Sequence, residues 1–168
     1  MTTIEMEVAL MRYFKFTQKL VVPNVTDMSG LVKFETDLLV LTKSRYATGV
    51  EIKVSKSDFQ NEFKKKQYHY GEEIDDIFYG MFKNFYFAFP EDLVEDCAGG
   101  VPKRFGILSV DKKGRVKKVR ASELLYNKKW SEKDYNNLMR IGCMRIYNLK
   151  RNLVNNYGKL KTLEETVR

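Results

Sequence analysis

The chain has 168 residues, 43% of them hydrophobic and 13% aromatic, with 30 Lys or Arg against 22 Asp or Glu for a net charge of +8 and a pI of about 9.3. That composition excludes an intrinsically disordered chain, and no apolar run is long enough to span a bilayer. Two distant cysteines (Cys97, Cys143) and a single histidine, His69, support neither a disulfide framework nor a zinc site. The length suits a single domain, with a core over about residues 1–110 and a C-terminal hairpin and helical extension over about 111–168. No basic-then-apolar leader opens the N-terminus, so a cytoplasmic location is the expectation. The charge is uneven: residues 71–100 hold one basic residue against eight acidic, and residues 101–168 hold eighteen against six. A basic C-terminal third is compatible with attraction to a phosphate backbone.

In chain order, Ile4, Val8, Met11 and Phe14 or Tyr13 recur at helical spacing, which predicts an amphipathic helix with Glu5 and Glu7 in its first turns, where the helix dipole favours negative charge. Residues 20–25 read as a short strand that Pro23 confines to an edge or bulge, because proline cannot donate to a ladder. A loop over 26–30 follows. Residues 38–41 and 50–54 are aliphatic and β-branched around a polar gap, the pattern of two adjacent antiparallel strands. Ser57, with Gln60 three residues on, has the form of a capping box opening a helix. Phe59 and Phe63 would begin that helix's buried face, and Gln60, Lys64 and Gln67 form a neighbouring stripe. Residues 72–76 make an acidic turn, and residues 84–89 an aromatic strand expected at the centre of the sheet. Residues 106–111 and 115–120 flank Lys112-Lys113-Gly114 as a hairpin whose second arm is an edge strand. Ser131 caps a long helix in which Tyr135, Met139, Gly142, Ile146, Leu149 and Leu153 form one apolar stripe, expected to be core. Arg140, Arg145, Lys150 and Arg151 lie off that stripe.

The chemistry sits in the central hairpin. Strand alternation puts Glu35 and Asp37 on one face of the first arm, and Glu51 and Lys53 on one face of the second, so two carboxylates and an ammonium can converge. Magnesium takes oxygen ligands, often only one or two carboxylates with water and phosphate completing the shell, and Asp37 and Glu51 suit it. Lys53 would stand beside the attacking water, to help deprotonate it or to offset developing negative charge. Lys56, Gln60, Lys64, Gln67, Arg140 and Arg145 are candidate DNA contacts.

Asp37, then thirteen residues, then Glu51-x-Lys53 and a helix resembles the PD-(D/E)XK nuclease superfamily. The wider matches are Val22-Pro23-Asn24-Val25, Gly49 through Phe59, Phe85 through Pro90, and Arg140 through Ile146. Together these resemble the MmcB-like DNA repair proteins and their phage relatives, over most of the chain. Thr36, not proline, precedes Asp37. The resemblance implies an α/β fold with a restriction-endonuclease-like α-β-β-β-α-β core, a mixed sheet of roughly four strands, an added hairpin and a C-terminal helix. It also implies a magnesium-dependent (or manganese-dependent) deoxyribonuclease in DNA repair, recombination or phage and mobile-element DNA processing. In that family the first helix brings a glutamate to the metal, and Glu5 is the match by spacing, with Glu7 the alternative. The competing functional class is a non-catalytic DNA-binding or interaction module that keeps the fold. A purely structural protein would instead leave the acidic and basic residues as a surface charge cluster. DNA is the expected partner and a membrane is not; a homodimer is compatible with the sequence.

Overall fold

The computed structural model describes residues 1–26, 29–65 and 81–166, with side chains placed for all of these except 62–65 and 158–166. Gln67 and the acidic turn at 72–76 therefore lie outside the described residues, as does the side chain of Lys64 on its helix. The order of elements is α1 (Thr3–Tyr13), β1 (Leu20–Val25), β2 (Thr36–Leu41), β3 (Ala47–Ile52), α2 (Lys56–Lys65), β4 (Asn84–Pro90), α3 (Val94–Cys97), β5 (Gly106–Val110), β6 (Val116–Arg120) and α4 (Glu132–Thr166). Among the described residues, no helix is long and apolar enough to cross a membrane.

All six strands form one mixed sheet in sequence order: β1-β2-β3 antiparallel, β3-β4-β5 parallel, and β5-β6 antiparallel. The C-terminal hairpin is thus not an appendage to a four-stranded sheet but its continuation, with β5 paired to β4. Gly106 permits this, because a Cβ there would stand 2.2 Å from the Tyr86 ring and 2.8 Å from the Ser122 backbone nitrogen.

Alternation sorts the core into two layers. Leu38, Val40, Val50, Ile52, Ala88, Leu108 and Val110 pack with Met6, Ala9 and Leu10 of α1. Leu39, Leu41, Ala47, Phe85, Phe87, Phe89 and Ile107 pack on the opposite side with Phe59 of α2, Cys97 of α3 and Leu138 of α4. Phe59 meets Phe87 and Phe89 edge-on, with ring centroids 6.0 and 5.3 Å apart. This geometry suits the aromatic quadrupole.

Three local expectations are corrected. The buried face of α1 is Met6, Ala9 and Leu10, while Ile4 and Val8 are exposed, because α1 has apolar residues on two sides and the sheet covers only one. The cap of α2 is Ser55, whose Oγ accepts the Asp58 amide at 3.1 Å, rather than Ser57. Of the stripe on α4 only Tyr135 and Gly142 lie against the rest of the protein, Gly142 letting the helix approach Val22 on β1, while Met139 is 44% exposed; the buried residue is Leu138, one position off the stripe, with Ile141 packed beside it. Ile146, Leu149 and Leu153 are 58%, 62% and 63% exposed. A 35-residue helix is about 50 Å long and outruns the edge of the sheet. Its cap is as expected, with the Ser131 Oγ accepting the Asp134 amide at 3.1 Å.

Gly106→Ala is expected to lower stability by about 1–3 kcal/mol through overpacking. Gly99→Ala, where an added Cβ meets nothing within 4 Å, is expected to change stability by less than about 0.5 kcal/mol. Equilibrium denaturation of the two variants checks the close approach; equal stabilities would refute it.

Candidate functional site

The β2–β3 ladder begins at Leu38 opposite Val50, and continuing the register by one pair sets Asp37 against Glu51. Residues opposite each other in an antiparallel pair project from the same face. Continuing the β1–β2 register in the same way sets Asn24 against Asp37, between the pairs Pro23–Leu38 and Val25–Thr36. Asn24, Asp37 and Glu51 thus form a row across three strands at one end of the sheet.

The pairing of β2 with β3 ends just before this row, and a side chain takes over the work of the ladder. The Asp37 carboxylate accepts the Ile52 amide through Oδ2 at 2.7 Å. On its other edge β3 stays bound to β4, with the Lys53 amide donating to the Ala88 carbonyl at 3.0 Å. Glu51 and Lys53 are each only 4% exposed, and Lys53 Nζ donates to Glu51 Oε1 at 2.9 Å. A second carboxylate, Asp58 on the first turn of α2, lies 3.9 Å from the same Nζ. The Ser55 cap turns the chain directly into that helix, which puts Asp58 there.

Of the two glutamates on α1, the structure brings Glu7 and not Glu5 towards the row. Glu5 is spent on its own helix: its carboxylate accepts the Thr2 amide at 2.7 Å in a capping box. Hydrogen bonds from the Thr2 backbone and hydroxyl hold its carboxyl below the usual value. Glu7 is half-buried and accepts a hydrogen bond from Asn24 Nδ2 at 3.3 Å. Burial pushes its carboxyl above the usual range, and the Asp37 charge adds to that against the opposing Asn24 hydrogen bond. Burying Met6 and Leu10 rotates Glu7 to the sheet side and leaves Glu5 with Thr2.

The other predicted contacts are dispersed. Lys56 pairs with Asp96 at 3.3 Å on the surface, and Gln60 is exposed nearby on α2. Arg145 reaches back from α4 to donate to the Asn24 carbonyl, so it joins the end of the sheet that holds the row. Arg140 is exposed one helical turn earlier. Asn24 and Asp58 escaped the sequence reading. The signal for Asn24 was its position after Pro23 in an edge strand, a place for irregular backbone, and its φ of 53° lies in the left-handed region that asparagine tolerates.

No family model matches this chain, and no curated protein is a significant match. A solved structure does superpose: a protein of unknown function from Silicibacter pomeroyi, 17% identical, with a TM-score of 0.57 over 89% of each chain. At that identity the likeness is one of fold, a mixed α/β sheet with a long C-terminal helix.

Glu7 supplies a pH test of the geometry. Its folded-state pKa is raised, so between the ordinary glutamate value and the raised one the folded state holds more protons, and stability falls as pH rises through that window. Glu7→Gln keeps an acceptor for Asn24 and removes the titration. The variant is expected to melt above the parent at pH 7 and to match it near pH 4, as read by thermal denaturation at both pH values. A gap independent of pH would refute the raised carboxyl of Glu7 and, with it, the burial that is its main cause.

Proposed function

We propose that this chain is a metal-dependent nuclease that hydrolyses DNA phosphodiesters, of the PD-(D/E)XK type and restriction-endonuclease-like in fold. The carrying observation is that Lys53 Nζ is held 2.9 Å from the buried Glu51 while the Asp37 carboxylate of the adjacent strand accepts the amide of Ile52, the residue after Glu51, at 2.7 Å. Its setting would be DNA repair, recombination or phage DNA processing. Among the described residues no three His, Cys, Asp or Glu side chains stand together as a cage. The donors in this reading are Asp37 and Glu51, two hard oxygen ligands of the kind magnesium takes with water and phosphate completing its shell, with manganese as a substitute. When bound, the cation supplies Lewis-acid polarisation of the phosphate and a more acidic water.

The protein's own groups account for the rest. The Ile52 amide orients Asp37, and Lys53 orients Glu51, so both carboxylates are held before any substrate arrives. Lys53 can accept or return a proton at Nζ, or hydrogen-bond the negative charge that develops on the phosphate. Glu7, held by Asn24, is the helix glutamate favoured over Glu5 as the assisting carboxylate.

Incubation of the purified chain with circular and linear DNA, with magnesium, manganese or a chelator, tests the reading. Glu51→Gln should abolish cleavage and keep DNA affinity. Lys53→Met should slow the chemical step by about 100- to 10,000-fold, with circular dichroism confirming that each variant folds. Equal cleavage by parent and both variants would assign the activity to another site or a contaminant. DNA binding without cleavage under any metal would establish the non-catalytic binding module instead.

Binding itself should weaken by orders of magnitude between about 50 and 200 mM salt, because Lys and Arg on phosphates displace condensed counterions. A flat salt titration would remove the electrostatic argument that the basic C-terminal third supports.

A further inference from the structure

The second half of α4 turns a broad apolar face to solvent. Ile146, Tyr147, Leu149, Leu153, Val154 and Tyr157 are between 58% and 78% exposed. Single apolar side chains on a surface are ordinary, but a continuous face of this kind marks a contact. Leu138 and Ile141 in the core, Gly142 against Val22, and Arg145 on the Asn24 carbonyl hold α4 to the body, and all of them precede this face. Propensity does not explain the helix beyond them either. Asn148, Asn152, Asn155 and Asn156 lie in it, asparagine is a weak helix former, and helices are held chiefly by the packing of an apolar face.

The chemistry of the face selects its occupant. Between Ile146 and Tyr157 the polar residues are those four asparagines with Lys150 and Arg151. A helix that lies on an anionic bilayer carries Lys and Arg along its polar face, whereas this one is mostly neutral amide. Gly142, Ile146, Leu149, Leu153 and Asn156 recur at alternating spacings of four and three, the seam of a coiled coil, and the sequence sets Leu160 and Leu163 at the next two positions. Asn156 therefore falls in the seam. A carboxamide both donates and accepts, so two copies of it can satisfy each other where an apolar neighbour would leave both unmet. One asparagine in such a seam fixes the register of paired helices.

We propose that this face of α4 is the interface with a second copy of the chain, the two helices parallel and in register so that Asn156 meets Asn156 of the partner subunit. The contact is isologous, the same patch serving both chains. At roughly 150 Å² for each large apolar side chain, six that are about two-thirds open present on the order of 600 Å² per chain, and a pair that covers most of it reaches the about 1,000 Å² a specific interface needs. Lys150 and Arg151 keep their charges in solvent at the rim with their stems along the contact. The interface needs neither metal nor DNA and is independent of the nuclease reading.

Sedimentation equilibrium of the full chain, without DNA or metal, tests it. The parent is expected to be a dimer whose dissociation constant holds or falls between about 50 and 500 mM salt, because the like charges of the two copies are then screened. Leu153→Glu, which puts a carboxylate of each copy into the seam, should weaken the dimer by about 100-fold or more. Asn155→Glu makes the same change of charge off the face and should leave it intact, with circular dichroism confirming that each variant folds. Asn156→Cys in a Cys143→Ser background should cross-link to a dimer on mild oxidation, since seam positions of a parallel pair stand within disulfide reach. A parent that stays monomeric at about 100 µM, a weak affinity by any measure, would overturn the proposal. So would equal dissociation constants for Leu153→Glu and Asn155→Glu, no cross-link at position 156, or a dimer that loosens as salt rises. A monomeric parent that binds vesicles of anionic lipid would assign the face to a membrane surface instead. Metal-dependent cleavage missing from a dimeric parent would sink the nuclease reading and leave the interface standing.

Discussion

The hydrogen bond from the Ile52 amide to Asp37 is the constraint on which this end of the molecule depends. A buried backbone N–H must find an acceptor, and beyond Leu38 and Val50 the β2 backbone no longer offers one. A side-chain carboxylate takes its place. Because that carboxylate belongs to the residue opposite Glu51, closing the ladder with Asp37 also brings two acids to the seam between two strands. Lys53 is gripped on the other edge by the Ala88 carbonyl, so the backbone carrying Glu51 and Lys53 is held from both sides before the chain turns into α2. Polar groups mounted on strand ends in this way are more closely positioned than groups on a loop.

Much of this was legible in the sequence for one reason: a strand has a period of two, so a correct pairing assigns every side chain to a face. Asp37, Glu51 and Lys53 could be placed on shared faces from residue number alone. The hairpin around Gly114, the edge position forced by Pro23 and the buried aromatic strand at 84–89 follow from equally local chemistry. The choice between Glu5 and Glu7 was not local. It depends on how α1 is rotated, and with apolar residues on two sides that is decided by which stripe the sheet covers. Periodicity likewise cannot say where a sheet ends. The stripe on α4 is regular throughout, but Met139 and the residues beyond Gly142 are exposed, and the helix meets the core one position aside, at Leu138.

The position of the cap had a different cause. Ser55 and Ser57 both precede a helical pattern, and either hydroxyl can accept a first-turn amide. The chain leaves β3 at Ile52 and must turn at once because Lys53 is still bound to β4, which favours the earlier serine. The same early turn sets Asp58 within 3.9 Å of Lys53 Nζ. A detail that looks like helix capping therefore shapes the electrostatics of the row.

The energetics of the row bear on why it exists. Had Glu51 and Lys53 been solvated surface charges, they would cost the fold almost nothing and imply nothing. At 4% exposure each, they have been taken out of water, and the attraction within a buried pair often fails to repay that desolvation. Glu7 adds to the cost, since its charge is disfavoured by burial and by Asp37. Replacing such a pair by apolar side chains of similar volume is often neutral or stabilising. Buried charges oriented in this way, Asp37 by the Ile52 amide and Glu51 by Lys53, are preorganised rather than free to reorient, which is the property the proposed function would draw on. That argument stands on this chain's own geometry, independent of the resemblance that first drew attention to Asp37, Glu51 and Lys53.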